Sequence, residues 1–577
     1  MKQLLTGGTV VSQALARYGV RTVFAVAGAS HTHLLDALDR DGVRIISSRH
    51  ESGCIGAADG HARVTGGLGV ALIIAEQGLP NAANGLATAF HACSPVLVLV
   101  ARLPGSWTEA QAEQDAAQFP WVGPLTKWAR TVPAAERLAE YVDAGAARAL
   151  AGRRGPTLLQ IPMEYLAALL PHAGAAAHPP PTPGRPAADP ELIEHAATLL
   201  QGAQRPLLIA GAGACHGRAS EALRGLVAEA DLPIAGNGLG RGLVPEDGER
   251  SFAWPLMQIV AREADVVCVV GARLKQRLGY GLPPRFAPHA RFIQIDVAAE
   301  ELARNRPIAV PIVADAGLAC AQLRDALSRR RSPGDSGTDR AGWVRAALQP
   351  RLDYLARTAA AVLPDDAIHP LALGAEIAAL MPDDAILVGD GADIQNWMYG
   401  ALRVRQAPGF LDHYPLGAMG VGTPLAVGAA AAATEAPGPA RTVVLVTGDG
   451  AFGFHPAELH AAARAGLRLV CIVGNDGAWG TEMHGQVQAV GRALNTELGV
   501  LRYDLVGVGF GCHGEFVTRR AELAPALQRA FAHEGPSVVN VAIHPAAGAA
   551  LKTEPLARMI MFDDLATQLE TQHLFAG

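Results

Sequence analysis

Short unbroken apolar runs, separated by alanine-rich stretches of helical length, recur along the chain. Val443-Val444-Leu445-Val446 and Leu469-Val470-Cys471-Ile472-Val473 carry no polar alternation, as strands buried on both faces of a parallel sheet require. Thr22-Val23-Phe24-Ala25-Val26, Arg44-Ile45-Ile46-Ser47, Val70-Ala71-Leu72-Ile73-Ile74, Pro206-Leu207-Leu208-Ile209-Ala210, Phe292-Ile293-Gln294-Ile295-Asp296 and Ile386-Leu387-Val388-Gly389 also read as strands. Two stretches break the rhythm: His178 to Pro190 is rich in proline, and Arg329 to Gly342 in Arg, Ser, Gly and Asp. Both read as exposed connectors. Strand–helix alternation between them predicts an α/β protein of three doubly wound parallel-sheet domains, over 1–176, 190–328 and 360–577.

Composition narrows the class. The 577 residues are 50% hydrophobic and 18% charged, with a formal charge of −6 and no basic runs. That balance argues for a soluble globular protein and against nucleic acid or an anionic membrane as partner. No apolar run is long enough to span a bilayer. Seven scattered cysteines without CxxC pairing suggest structural thiols in a reducing compartment. Met1 to Gly8 lacks a signal-peptide core, so the expected location is cytoplasmic.

Candidate chemistry centres on two strand ends. Gly448-Asp449-Gly450-Ala451 follows one apolar run, and Asn475-Asp476-Gly477-Ala478-Trp479-Gly480 follows the next, placing Asp476 27 residues after Asp449. The glycines permit a sharp turn and close backbone approach to a ligand, and the following helix offers free N–H groups to an anion. Asp449, Asp476 and a carbonyl near Ala478 suit a hard, six-coordinate cation such as Mg²⁺.

This stretch resembles the diphosphate-binding motif of thiamin-diphosphate (ThDP) enzymes, which opens with Gly-Asp-Gly and closes with an Asn pair; Asp476 departs from it at the second Asn. Arg49-His50-Glu51, followed by small residues and Gly60-His61-Ala62-Arg63, resembles the pyrimidine-domain motif of the acetolactate synthase group. The resemblance implies that Glu51 activates the cofactor through its pyrimidine ring nitrogen. It also implies that the Gly417 carbonyl accepts from the aminopyrimidine, Met419 wedges the cofactor into its bent shape, and Gly450, Ala451, Asp393, Ile394, Trp479 and Gly480 line its site. In Ala75-Glu76-Gln77-Gly78-Leu79-Pro80-Asn81, Gly78 and Asn81 fit a family loop, whereas Glu76 and Gln77 replace small residues. His31, Gln114, His413 and Glu482 are expected near the reacting centre, His31 as acid/base and Glu482 as a discriminating acid. His33 stays open between packing and a place beside His31, and Trp479 and His484 are expected to project over the metal turn. Asp115, beside Gln114, belongs to the same family-like stretch.

The implied activity is a ThDP- and Mg²⁺-dependent non-oxidative C–C lyase or carboligase on 2-oxo acids or 2-hydroxy ketones, similar to acetolactate synthases and benzaldehyde lyase. Gly271-Ala272-Arg273-Leu274 and Gly281-Leu282-Pro283-Pro284-Arg285-Phe286 suggest the alternative, a 2-hydroxyacyl-CoA lyase or oxalyl-CoA decarboxylase. Against it stand the lack of arginines before His413 and the tail from Asp563, which is no basic lid. More remote is an FAD-dependent oxidase like pyruvate oxidase. Gly211-Ala212-Gly213 resembles a dinucleotide turn, but FAD or ADP in the central domain is not favoured. Because Glu51 and Asp449 lie in different domains, the resemblance implies a homodimer or homotetramer with its active site between subunits.

Overall fold

A computed structural model describes residues 4–114, 119–171, 184–330 and 339–558; the side chains of Glu76 and Phe119 are not described. Asp115, the tail from Asp563 and much of both connectors lie outside the described residues.

Three six-stranded sheets, each wholly parallel, carry the fold. In the first the spatial order is Arg44–Ser47, Thr22–Ala25, Gly69–Ile74, Val96–Arg102, Thr157–Pro162 and Trp128–Thr131. The second runs Ser251–Ala253, Ile234–Gly236, Pro206–Ala210, Val266–Val270, Arg291–Asp296 and Val310–Val313. The third runs Phe410–Asp412, Ile386–Gly389, Val443–Gly448, Val470–Asn475, Ser537–Ala542 and His513–Val517. Their inner strands, rich in β-branched residues and almost wholly buried, are the continuous apolar runs of the sequence, while edge strands such as Val310–Val313 and His513–Val517 are partly exposed. Each sheet reverses strand order near its middle, which opens a crevice at the carboxyl edge where doubly wound folds bind ligands.

The connector expected from Arg329 starts later. Helix Ala316–Arg330 runs through both arginines, whose guanidiniums donate to Glu194; composition marked them as linker, but a cross-helix carboxylate holds them in regular structure. In the central domain, Gly211 and Gly213 face the turn after the neighbouring strand: a Cβ on Gly211 would lie 2.6 Å from the Gly271 carbonyl oxygen. Their missing side chains let two switch-point turns pack together.

The first and third domains join through two helices, Glu51–Thr65 and Gly422–Glu435. Glycine makes this crossing possible: a Cβ on Gly60 would sit 2.2 Å from the Leu425 carbonyl oxygen, and one on Gly428 1.9 Å from that of Ala57. One apolar core is shared across it, running from Phe24 and Ile55 to Leu425 and Leu445. Among the described residues no helix is long and apolar enough to cross a membrane.

Candidate active site

Strands Val443–Gly448 and Val470–Asn475 pair in register, Gly448 opposite Gly474. Their following turns therefore emerge side by side at the switch point of the third sheet. Asn475 braces the second turn: its Oδ1 accepts from Gly477 N, and its Nδ2 donates to the Leu501 carbonyl and Asn540 Oδ1. Asp476 is turned to the cavity, its Oδ1 accepting from Ala478 N. Burial pushes the Asp449 carboxyl up, and burial with the charges of Asp449 and Asp393 pushes Asp476 up. Asp449 Oδ2 is buried without a hydrogen-bond partner. Two acids forced together against their mutual repulsion, one with an orphaned oxygen, fit a divalent cation between them. Among the described residues no three His, Cys, Asp or Glu side chains form a metal-binding group, so such an ion would depend on two carboxylates, a backbone carbonyl and oxygens from its ligand.

A cavity of about 720 Å³ opens over these turns. Asp449, Gly450, Ala451, Asp476, Ala478, Trp479 and Gly480 line its floor; Asp393, Ile394, Gly417, Met419 and Glu482 complete that side. Close approach demands the glycines. A Cβ on Gly450 would meet the Trp479 ring at 2.6 Å, and one on Gly480 would lie 2.3 Å from Asp476 Oδ2 and 2.6 Å from Asp393 Oδ2. The central domain supplies the opposite wall through Arg273, Lys275 and Arg277.

The remaining candidates gather elsewhere. Glu51 is the first residue of its helix, and His50 caps that helix by accepting from Ser52 N. Asn81 Nδ2 donates to Glu51 Oε2 at 3.1 Å, while a Cβ on Gly78 would come within 2.9 Å of Oε1. His31, at the carboxyl edge of the same sheet, is buried with Nε2 2.7 Å from the Ile73 carbonyl oxygen. That carbonyl fixes the proton on Nε2, and burial pushes the pKa down to about 4, leaving Nδ1 as an unpartnered acceptor. Glu51, His31, Gly78 and Asn81 are not among the residues lining the cavity. Arg63, at the far end of the Glu51 helix, does line it. Twelve residues of helix rise separate the two by roughly 18 Å.

Four further residues sit apart from the cavity wall. His413 is fully buried, its Nδ1 3.5 Å from Asp390 Oδ1, with burial holding its pKa down; its neighbours Asp412 and Tyr414 line the cavity instead. Gln114 is exposed in a left-handed backbone conformation, φ 73°. His33 is exposed, not packed. His484 engages the Pro545 carbonyl.

Arg277 was not singled out by the sequence. It lies over the Tyr414 ring at 3.9 Å and donates to Asp412 Oδ2 and Tyr399 Oη. The strand before His413 thus receives its cation from another domain, and only the nearby Arg273-Leu274 stretch hinted at it.

Comparison with known proteins agrees with this geometry. The models of the thiamine pyrophosphate enzyme N-terminal, central and C-terminal domains match residues 5–120, 193–323 and 390–541. The chain belongs to the thiamine pyrophosphate enzymes. Among its relatives, an acetolactate synthase large subunit of Mycobacterium tuberculosis is 33% identical over 548 residues, covering 94% of this chain and 96% of that one. Human 2-hydroxyacyl-CoA lyase 1 is 27% identical over 566 residues, covering 95% and 96%. A solved thiamin diphosphate-dependent protein of Mycobacterium smegmatis shares the fold, with a TM-score of 0.78 at 22% identity over 94% of this chain and 100% of that one.

Proposed function

We propose that this ThDP-dependent enzyme is a Mg²⁺-requiring, non-oxidative C–C lyase or carboligase acting on 2-oxo acids or 2-hydroxy ketones. The observation that carries the reading is the Asp449–Asp476 pair, buried and half-buried on adjacent strand ends, with Met419 and Gly417 on the same cavity and glycines at the turns. Asp449 and Asp476 would hold the metal with the Ala478 carbonyl, and Gly450, Ala451 and Ile394 would flank the diphosphate. Bound ThDP supplies a nucleophilic carbon and an electron sink. The chain does the rest. Glu51 offers a carboxyl oxygen to the aminopyrimidine; Asn81 holds Oε2, and Gly78 keeps the space at Oε1 free of a side chain. His31 Nδ1 is a neutral acceptor for a proton or a substrate hydroxyl, and Glu482 stands at the cavity wall.

Glu51 lies outside its own chain's cavity, which supports a homodimer or homotetramer in which it faces the partner's cofactor. The C–C-joining reading is supported by the likeness to the acetolactate synthase large subunit of Mycobacterium tuberculosis. A second reading, 2-hydroxyacyl-CoA cleavage, draws on the Arg273 and Lys275 end of the cavity, a cationic wall for a nucleotide phosphate.

Purified protein with ThDP and Mg²⁺ should release CO2 from pyruvate or cleave short acyloins. Turnover confined to 2-hydroxyacyl-CoA esters would select the second reading. Asp476→Ala should weaken Mg²⁺-dependent ThDP binding; unchanged affinity would remove Asp476 from the metal shell.

A further inference from the structure

The tripeptide that delivers Glu51 is held from another domain. Arg44–Ser47 is the edge strand of the first sheet, paired on one side only. Among the described residues, the chain leaving it, Ser48 to His50, has no neighbouring strand turn on its open side. Yet its backbone donors are satisfied. Arg49 N and His50 N both donate to Glu458 Oε1 at 3.0 Å, across 409 and 408 residues of sequence. The Arg49 guanidinium donates to His460 Nδ1 on the same helix, Glu458–Arg464. The His50 ring stacks edge-on against His455, whose Nδ1 lies 2.9 Å from the Gly420 carbonyl oxygen.

Glu458 has no other evident use. It is 1% exposed, Oε2 has no hydrogen-bond partner, and the residue does not line the cavity. A buried carboxyl with one idle oxygen is costly, and desolvation pushes it up to about 7. Space has been cleared for it: a Cβ on Gly53, one turn into the Glu51 helix, would sit 2.3 Å from Oε1. The sequence retains a carboxyl that a smaller apolar residue could replace without that cost, and its oxygen fixes the two peptide units just before Glu51.

Resting on the ThDP reading above, we propose that Glu458 is a positioning residue for Glu51: its Oε1, accepting from Arg49 N and His50 N, sets where the helix begins and so where the Glu51 carboxyl points. It touches neither cofactor nor substrate. Without it, two buried N–H groups lose their acceptor, and the His50–Glu51 turn shifts to recover one. A displacement of about 1 Å at Glu51 is enough to cost roughly a hundredfold in a proton transfer.

The test uses the ThDP–Mg²⁺ holoenzyme and its Glu458→Ala, Glu458→Gln and Gly53→Ala variants. Three quantities are read: ThDP affinity, exchange of the cofactor C2 hydrogen for deuterium, and the circular-dichroism band of the imino aminopyrimidine tautomer. Glutamine keeps an Oε1 acceptor, so Glu458→Gln should exchange within about threefold of wild type. Glu458→Ala, and Gly53→Ala, which crowds Oε1 out, should bind ThDP nearly normally yet lose exchange by roughly tenfold to a hundredfold, along with the tautomer band. A general loss of folding would depress affinity and exchange together and would not be restored by glutamine; that result overturns the proposal, as does wild-type exchange in Glu458→Ala. If the wild-type protein binds no ThDP, the functional reading itself falls. Binding and exchange in the wild type combined with unaltered exchange in Glu458→Ala removes the positioning role alone.

Discussion

At residue 78 the missing side chain is chemistry by omission. Any Cβ there would press within 2.9 Å of Glu51 Oε1, the oxygen not engaged by Asn81. Gly78→Ala should leave ThDP affinity, set by the third domain, close to wild type. C2 exchange should fall roughly a hundredfold as the carboxyl rotates away; proton NMR of the released cofactor measures it. Glu458 gives a second test, of pH. Its folded pKa of about 7 lies above the ordinary 4.5, so the folded chain holds a proton that the unfolded chain gives up. The stability this confers is complete below 4.5 and is lost as pH rises through about 7. The Arg49 and His50 N–H groups and the Arg49 charge favour its ionised form, and desolvation outweighs them. The melting temperature of wild type relative to Glu458→Gln should therefore fall between about pH 5 and pH 8. A flat difference would mean that Glu458 titrates at its ordinary value.

Between elements, the Glu51–Thr65 and Gly422–Glu435 crossing fixes both the helix that carries Glu51 and the segment after Met419. Backbone meets backbone there, so a methyl group has nowhere to go: on Gly428 it would overlap the Ala57 carbonyl at 1.9 Å. Gly428→Ala should cost at least about 2 kcal/mol, seen as a lower midpoint in urea, and should lower exchange as Glu51 moves with its helix. The elements themselves were legible in sequence because each depends on local pattern. Valine runs gave the parallel strands, and Gly448-Asp449-Gly450 and Asn475-Asp476-Gly477 marked their turns. The helix that begins at Glu51 was legible because small residues follow its start in a recognisable order. Glu458 and Arg277 were not, since what each does depends on contacts more than a hundred residues away. His413 shows the converse: a position between recognisable neighbours suggested proximity to the chemistry, but alternation along that segment turns Asp412 and Tyr414 to the cavity and His413 into the core.

For the whole molecule, the decisive fact is that one rigid helix carries Arg63 at its own chain's cavity and Glu51 at the other end, roughly 18 Å away. Glu51 does not line the cavity into which the Asp449 turn opens, and the shared core beneath both domains resists a hinge between them. If both residues serve one reaction, each site takes Glu51 from one chain and Asp449 from another. Glu51→Gln and Asp449→Ala homo-oligomers should each be inactive. Unfolded together and refolded as an equal mixture, half the dimers become mixed, and each mixed dimer holds one site with both lesions and one with neither. Activity should return to about a quarter of wild type. Sites built within a single chain would recover none, because every chain in the mixture carries a lesion; light scattering on the same sample would show whether the unit is a dimer or a tetramer.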